Sequence, residues 1–196
     1  FGDSLASAQE FNAFLAGFRS QRQLFRVDHF LGDSQVLNLL ALRFANRIFE
    51  PIWRAAHVES VEITANETLA LEGRAGYYVR AGALIDMVQS HLLLVLALVT
   101  MEEPARLEPR QVHDLMAHAL SVTQVTGGDP VASSRRARYT AGTSRGREVP
   151  AYRDEEGVDP TRDIETLVEL DLEIANRRWS GVPIRLRSGK ALGKDV

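Results

Sequence analysis

The sequence predicts an α+β fold in which helices pack on a largely antiparallel sheet. Three observations lead there. Apolar residues recur at helical spacing through most of the chain up to Leu120. Strict two-residue alternation is confined to late segments, above all Val168, Leu170, Leu172 and Ile174 between Glu169, Asp171 and Glu173. The next segment, Val182 to Arg187, sets Ile184 and Leu186 against Arg185 and Arg187. Its basic face therefore complements the acidic face before it, as expected of an antiparallel pair with one solvated side. Helices come first and strands later, which separates α+β from an alternating α/β order.

The elements follow in chain order. Asp3 or Ser4 can cap a first helix that carries Phe11, Phe14, Leu15 and Phe18 on one face. Leu24 to Val27 is short and apolar and is expected to be a strand that delivers Asp28-His29-Phe30 before a break at Gly32. Asp33 or Ser34 caps the next helix, expected to run to about Glu50 and to stop at Pro51. Its buried stripe is expected to be Leu37, Leu40, Ala41, Phe44 and Ile48, with Arg43, Asn46, Arg47 and Glu50 at polar offsets.

Val58 to Thr64 reads as a strand, with Val61 and Ile63 on one face. Three glycines and two tyrosines from Gly73 to Gly82 suggest a loop or tight turn. Ala83 to Met101 is helical, polar at its start and then apolar all round, as in a helix surrounded by protein. Its longest apolar run, Leu92 to Val99, is far short of the roughly 20 residues a membrane span requires. A helix from Pro109 to Leu120 follows. Ser121 to Asp163 shows little periodicity and is expected to be a long irregular connection.

With 196 residues, 45% of them hydrophobic and 25% charged, the chain can bury a core of one domain or slightly more. A net charge of -3 argues against a general nucleic-acid binder. The absence of cysteine excludes disulfides and thiolate metal sites and fits a cytoplasmic protein. Phe1 to Leu5 has no basic start leading into an apolar run, so no signal peptide is expected in the visible sequence. Both ends look cut, and the chain is expected to be a piece of a longer protein.

Two places could carry chemistry. Asp28-His29, at a strand end before a glycine and a helix start, is well placed to face a cleft and an anion. An aspartate that caps and a histidine that packs would give the same pattern. Asp86, Ser90 and His91 lie on the polar first turns of the apolar helix. Asp86 and Ser90, four apart, share a face, and His91 is rotated away from them. A histidine there can serve as a general base or as a satisfied core residue. His57, His113 and His118 have no such context and read as surface or packing residues. No GxGxxG, P-loop or His-Glu-x-x-His pattern occurs, so neither a nucleotide-phosphate cradle nor a metal site is expected.

Six blocks, in order, resemble the glucose-6-phosphate dehydrogenase family. They are Phe25 to Gly32, Leu42 to Trp53, Glu72 to Tyr78, Asp86 to His91 with two leucines after it, Arg178 to Pro183, and Ser188 to Leu192. The resemblance covers essentially the whole chain. It implies a partial version of the family's C-terminal, substrate-binding domain over residues 1–196. NADP would be bound mainly by an N-terminal domain not contained here, and no cofactor-binding residue is assigned.

The implied reaction is oxidation of glucose 6-phosphate at C1 with hydride transfer to NADP. By position, the resemblance implies that His91 is the general base and Asp28 the carboxylate that orients it. Glu67 and Asp86 match residues that hold sugar hydroxyls, His29 matches a phosphate contact, and Lys190 matches a lysine near the sugar. Other implications are a homodimer or homotetramer, a small sugar phosphate as partner rather than nucleic acid or membrane, and an inactive segment when alone.

Departures from the family pattern accompany the matches. The signature Arg-Ile-Asp-His-Tyr-Leu-Gly-Lys-Glu has Phe30 here for its tyrosine and Asp33 for its phosphate-binding lysine, while Asp195 falls where a basic residue is usual. The family's Glu-Lys-Pro would precede Phe1. These departures leave open a paralogue of altered sugar specificity, or a non-catalytic binding or assembly partner.

Overall fold

The computed structural model describes residues 4–18, 24, 25 and 27–193. Helix α1 spans Leu5–Ala16 and α2 spans Ser34–Leu40, continuing as a wider π turn over Ala41–Ala45. Strand β1 is Val61–Asn66. One long helical run follows in three parts: α3 over Ala75–Ala83, a π-helical stretch over Leu84–Leu92, and α4 over Leu93–Thr100. Helix α5 is Pro109–Ser121. Strands β2 (Thr123–Val125), β3 (Ser134–Ala137), β4 (Gly142–Ser144) and β5 (Arg147–Val149) are short, and β6 (Leu167–Ile174) and β7 (Ile184–Gly189) close the fold.

The main sheet has the order β1-β7-β6-β2, with β3 also paired to β6, while β4 and β5 form a separate hairpin. β1 runs parallel to β7, and the other pairs are antiparallel. The expected charge match is realised: Glu169 lies opposite Arg187 and Asp171 opposite Arg185. Arg187 pairs with Glu169, and Arg185 Nε donates to Asp171 Oδ1 at 2.7 Å. That hydrogen bond, and then the guanidinium charge, hold the Asp171 carboxyl below its ordinary range.

The inner face of the sheet, with Val168, Leu172, Ile174, Ile184 and Leu186, packs on Val88, Leu92 and Leu96 of the central helix. The opposite side of that helix, Ala97, Leu98 and Met101, packs on Met116 and Ala119 of α5 and on Val36 and Leu40 of α2. The central helix is thus covered on both sides, which explains its all-round apolar sequence. By length and composition Ala75–Thr100 could cross a membrane, but Val95–Thr100 is buried within the protein.

Several expectations are corrected. Residues from Ala75 onward in the expected Gly73–Gly82 loop are helical. Gly76 does not stop this helix because Tyr78 and Ala75 bury themselves with Leu71 and Tyr152, and the interruption comes at Gly82. The expected irregular stretch from Ser121 to Asp163 contains β2 to β5, and β2 and β3 add to the edge of β6. Runs of three or four residues are too short to show alternation, and cross-strand pairing decides them. Leu24, Phe25 and Val27 are not in a strand. Ser4 caps α1, and Asp3 lies outside the described residues.

The second helix also ends early, at Ala45, and its faces are partly exchanged. Arg43 is 0% exposed and Glu50 8%, whereas Leu37 is 51% and Ile48 75% exposed. The cause is a polar requirement inside the core. The last carbonyls of a helix have no partner within it. Here Arg43 Nη1 donates to Leu98 O (2.6 Å) and Val99 O (3.0 Å), and Nη2 donates to Met101 O (2.8 Å). Trp53 Nε1 donates to Val99 O and Trp179 Nε1 to Thr100 O, each at 2.8 Å. Glu50 balances the charge, bonded by Arg43 Nη2 at 3.1 Å and by Arg178 Nη1 at 2.6 Å.

At Gly82 the helical run breaks, with φ 64° and ψ 177°, a region essentially restricted to glycine. The backbone N–H of Leu84 then donates to Glu165 Oε1 at 3.0 Å, which caps the restarted helix. A Cβ on Gly82 would stand 2.6 Å from that same Oε1. Gly82→Ala is expected to lower unfolding free energy by about 1–3 kcal/mol in a denaturant titration. Unchanged stability would show that the bend relaxes freely.

Candidate active site

His91 sits near the end of the π-helical stretch, a widened helix form that recurs at functional sites. Asp28 reaches it from the segment that enters the turn at residues 29–32. His91 Nδ1 lies 2.7 Å from Asp28 Oδ2, and both side chains are largely sheltered from solvent. A carboxylate that accepts at this contact selects the His91 tautomer with its proton on Nδ1 and its lone pair on Nε2. Asp28 Oδ1 accepts from the Leu31 N–H at 3.2 Å, which fixes the carboxylate itself. Phe30 stacks on the His91 ring, centroids 4.6 Å apart and planes 14° apart, and His29 meets the same ring edge-on at 4.6 Å. The structure thus joins two residues 63 positions apart in one hydrogen-bonded pair.

Glu67 and Lys190 come together for a topological reason. β1 and β7 run parallel with Asn66 opposite Gly189, so the residues just past both strand ends are neighbours. Carboxyl ends of parallel strands are a common ligand position. Lys190 Nζ donates to Glu67 Oε2, and its ammonium lies 5.4 Å from the centre of the Tyr78 ring. Asp86, on the same π stretch as His91, accepts from the Tyr77 hydroxyl at 2.9 Å. Burial first, and then the Asp86, Glu165 and Glu67 carboxylates, push the Tyr78 hydroxyl far above its ordinary range. It stays a neutral donor, and it has no hydrogen-bond partner among the described residues.

The departing positions are also placed. Phe30 is half-buried by its stack on His91. Asp33 is exposed, and its carboxylate accepts from the Gln35 N–H at 3.0 Å as the cap of α2. His29 is exposed. Asp195 lies outside the described residues. Tyr77 and Tyr78 were missed as site neighbours because the glycines around them read as a loop.

Among the described residues, no three His, Asp or Glu side chains are grouped so as to hold a metal ion. Nor do these residues form a glycine-rich strand-to-helix turn of the kind that cradles a dinucleotide. What the arrangement can do is take a proton from a hydroxyl at His91 beside carboxylates suited to neighbouring hydroxyls.

Residues 40–196 match the family model described as the C-terminal domain of glucose-6-phosphate dehydrogenase, and residues 1–38 match that of its NAD binding domain. The chain belongs to the glucose-6-phosphate dehydrogenase family.

Among its relatives, the glucose-6-phosphate 1-dehydrogenase of Treponema pallidum (strain Nichols) is 44% identical over 197 residues, covering 100% of this chain and 38% of that protein. The Rhizobium meliloti (strain 1021) enzyme is 44% identical over 194 residues, covering 97% and 39%. This chain therefore spans about two fifths of the length of the curated relatives it matches. A solved glucose-6-phosphate dehydrogenase in complex with its substrate glucose-6-phosphate superposes with a TM-score of 0.88 at 36% identity, covering 100% of this chain and 39% of that one. The Mycobacterium avium enzyme gives 0.83 at 39% identity, covering 100% and 41%. Between the two family models, Asp28, His29, Phe30 and Asp33 fall on the NAD-binding side, and Glu67, Asp86, His91 and Lys190 on the C-terminal side.

Proposed function

We propose that this chain supplies the sugar-binding and proton-abstracting part of a glucose-6-phosphate 1-dehydrogenase. The observation that carries the reading is the 2.7 Å contact between His91 Nδ1 and Asp28 Oδ2. His91 Nε2 takes the proton of the C1 hydroxyl as the hydride leaves C1, so the hemiacetal becomes a lactone. Asp28 holds the ring in the tautomer that leaves Nε2 free, and its charge stabilises the imidazolium that forms. Glu67 and Asp86 hold sugar hydroxyls, Lys190 lies near the sugar, and His29 meets the phosphate.

The proposal includes NADP as hydride acceptor, bound mainly outside the residues described. It also includes a homodimeric or homotetrameric assembly and a cytoplasmic setting. Family membership supports the first two, and the cysteine-free sequence supports the third.

A second reading, altered sugar specificity, is favoured by Asp33. Its carboxylate sits one turn from His29 and occupies the N-terminus of α2 itself. Exchanging an ammonium for a carboxylate there removes a charge-assisted contact worth about 1.5–3 kcal/mol, or about 10- to 150-fold in affinity.

Calorimetric titration of glucose 6-phosphate into the full-length protein and its Asp33→Lys variant, with turnover of glucose and glucose 6-phosphate compared, separates the readings. The expected result is preference for the phosphorylated sugar, with lysine improving affinity by less than about 10-fold. Weak binding rescued by lysine, or equal turnover of glucose, would transfer the assignment to another sugar.

A further inference from the structure

We propose that Tyr77 is a positioning residue that holds the Asp86 carboxylate ready for a sugar hydroxyl. The proposal rests on the sugar-binding reading of Asp86 and adds a residue that sequence and family resemblance leave without a role.

The argument begins with the break at Gly82. On an unbroken α-helix, residues nine apart lie about 13.5 Å apart along the axis and about half a turn apart around it. Tyr77 and Asp86 would then face opposite sides. The reversal of φ at Gly82 and the cap of Glu165 on Leu84 redirect the chain between them. As a result the Tyr77 hydroxyl donates to Asp86 Oδ1 at 2.9 Å across the bend. The hydrogen bond is a product of that bend.

Its consequence for Asp86 is chemical. A carboxylate on a helix surface turns among several rotamers, each presenting its oxygens differently. A phenolic donor on Oδ1 selects one of them and leaves Oδ2 to accept from a ligand hydroxyl. Asp86 stands on the same π stretch as His91, so holding its direction fixes the sugar relative to the base. Tyr77 is 56% exposed, so its hydroxyl meets Asp86 at the surface rather than in the core.

Asp86 would bind a hydroxyl that does not react, so its contact is equally strong in ground and transition states. Losing it raises KM and spares kcat. In the full-length protein, Tyr77→Phe removes one oxygen and leaves the exposed ring. The expected result is a rise in KM and in the calorimetric Kd for glucose 6-phosphate of about 3- to 10-fold, with kcat changed by less than about twofold.

Asp86→Asn and the double variant complete a cycle. If Tyr77 acts through Asp86, removing the hydroxyl from the Asn variant costs little further affinity. A Tyr77→Phe protein with the affinity of the parent, or losses that multiply in the double variant, would overturn the role of Tyr77 alone. A parent that does not bind glucose 6-phosphate would overturn the sugar reading of Asp86 and the proposal with it.

Discussion

His91→Ala in the full-length protein is expected to lower kcat for glucose 6-phosphate oxidation by about 10²–10⁴-fold, with a smaller change in KM. The size follows from what the substitution removes. The C1 hydroxyl is a weak acid, and hydride cannot leave C1 cheaply while that proton stays. Asp28 holds His91 Nδ1 at 2.7 Å and Phe30 stacks on the ring face, which leaves Nε2 to accept that proton. Asp28→Asn should give a smaller loss, since an amide can offer either its carbonyl or its NH₂ and no longer dictates the tautomer. Steady-state rates with saturating sugar check both. Turnover that survives His91→Ala within tenfold would mean that another group takes the proton. A parent protein with no turnover at all would favour a non-catalytic paralogue.

Arg43→Met is expected to cost about 3–5 kcal/mol of unfolding free energy, read from the midpoint and slope of a denaturant titration. The variant leaves the carbonyls of Leu98 and Met101 without their donor and leaves Glu50 balanced by Arg178 alone. Burial draws the Arg43 pKa below its ordinary value, with Glu50 opposing that shift, as for a charge kept in the core by its partners. Adding Glu50→Gln to Arg43→Met should recover part of the loss, because the remaining half-balanced charge goes too. Arg43→Lys should fall between, since one ammonium cannot span three carbonyls and a carboxylate in fixed directions. A loss below about 1 kcal/mol would show that water satisfies the helix end.

The large elements were legible in sequence wherever one periodicity ran long enough. β6 and β7 could be read from their alternation, and even their charge pairing could be read from Glu169, Asp171, Arg185 and Arg187. The central helix could be read from its unbroken apolar run. Arg43 could not be placed, because periodicity treats any arginine as solvent-facing and cannot see an unpaired helix end waiting inside the core. β2 and β3 could not be seen because three or four residues carry no period, and their partner strand lies far along the chain.

The site divided in the same way. Asp28 and His91 were each ambiguous alone, and only family resemblance joined them before the fold did. The Tyr77–Asp86 contact depends on a backbone reversal at Gly82, which a sequence records only as one more glycine.

The seam between the two family models, at residue 39, has a consequence for inheritance. Asp28 belongs to one module and His91 to the other, so neither module carries the pair by itself. Recombination at that seam would take Asp28 from one ancestor and His91 from another. The pair would then depend on two lineages having kept compatible angles. The smallest segment that can be transplanted with the pair whole begins before Asp28, inside what the family description counts as the neighbouring domain.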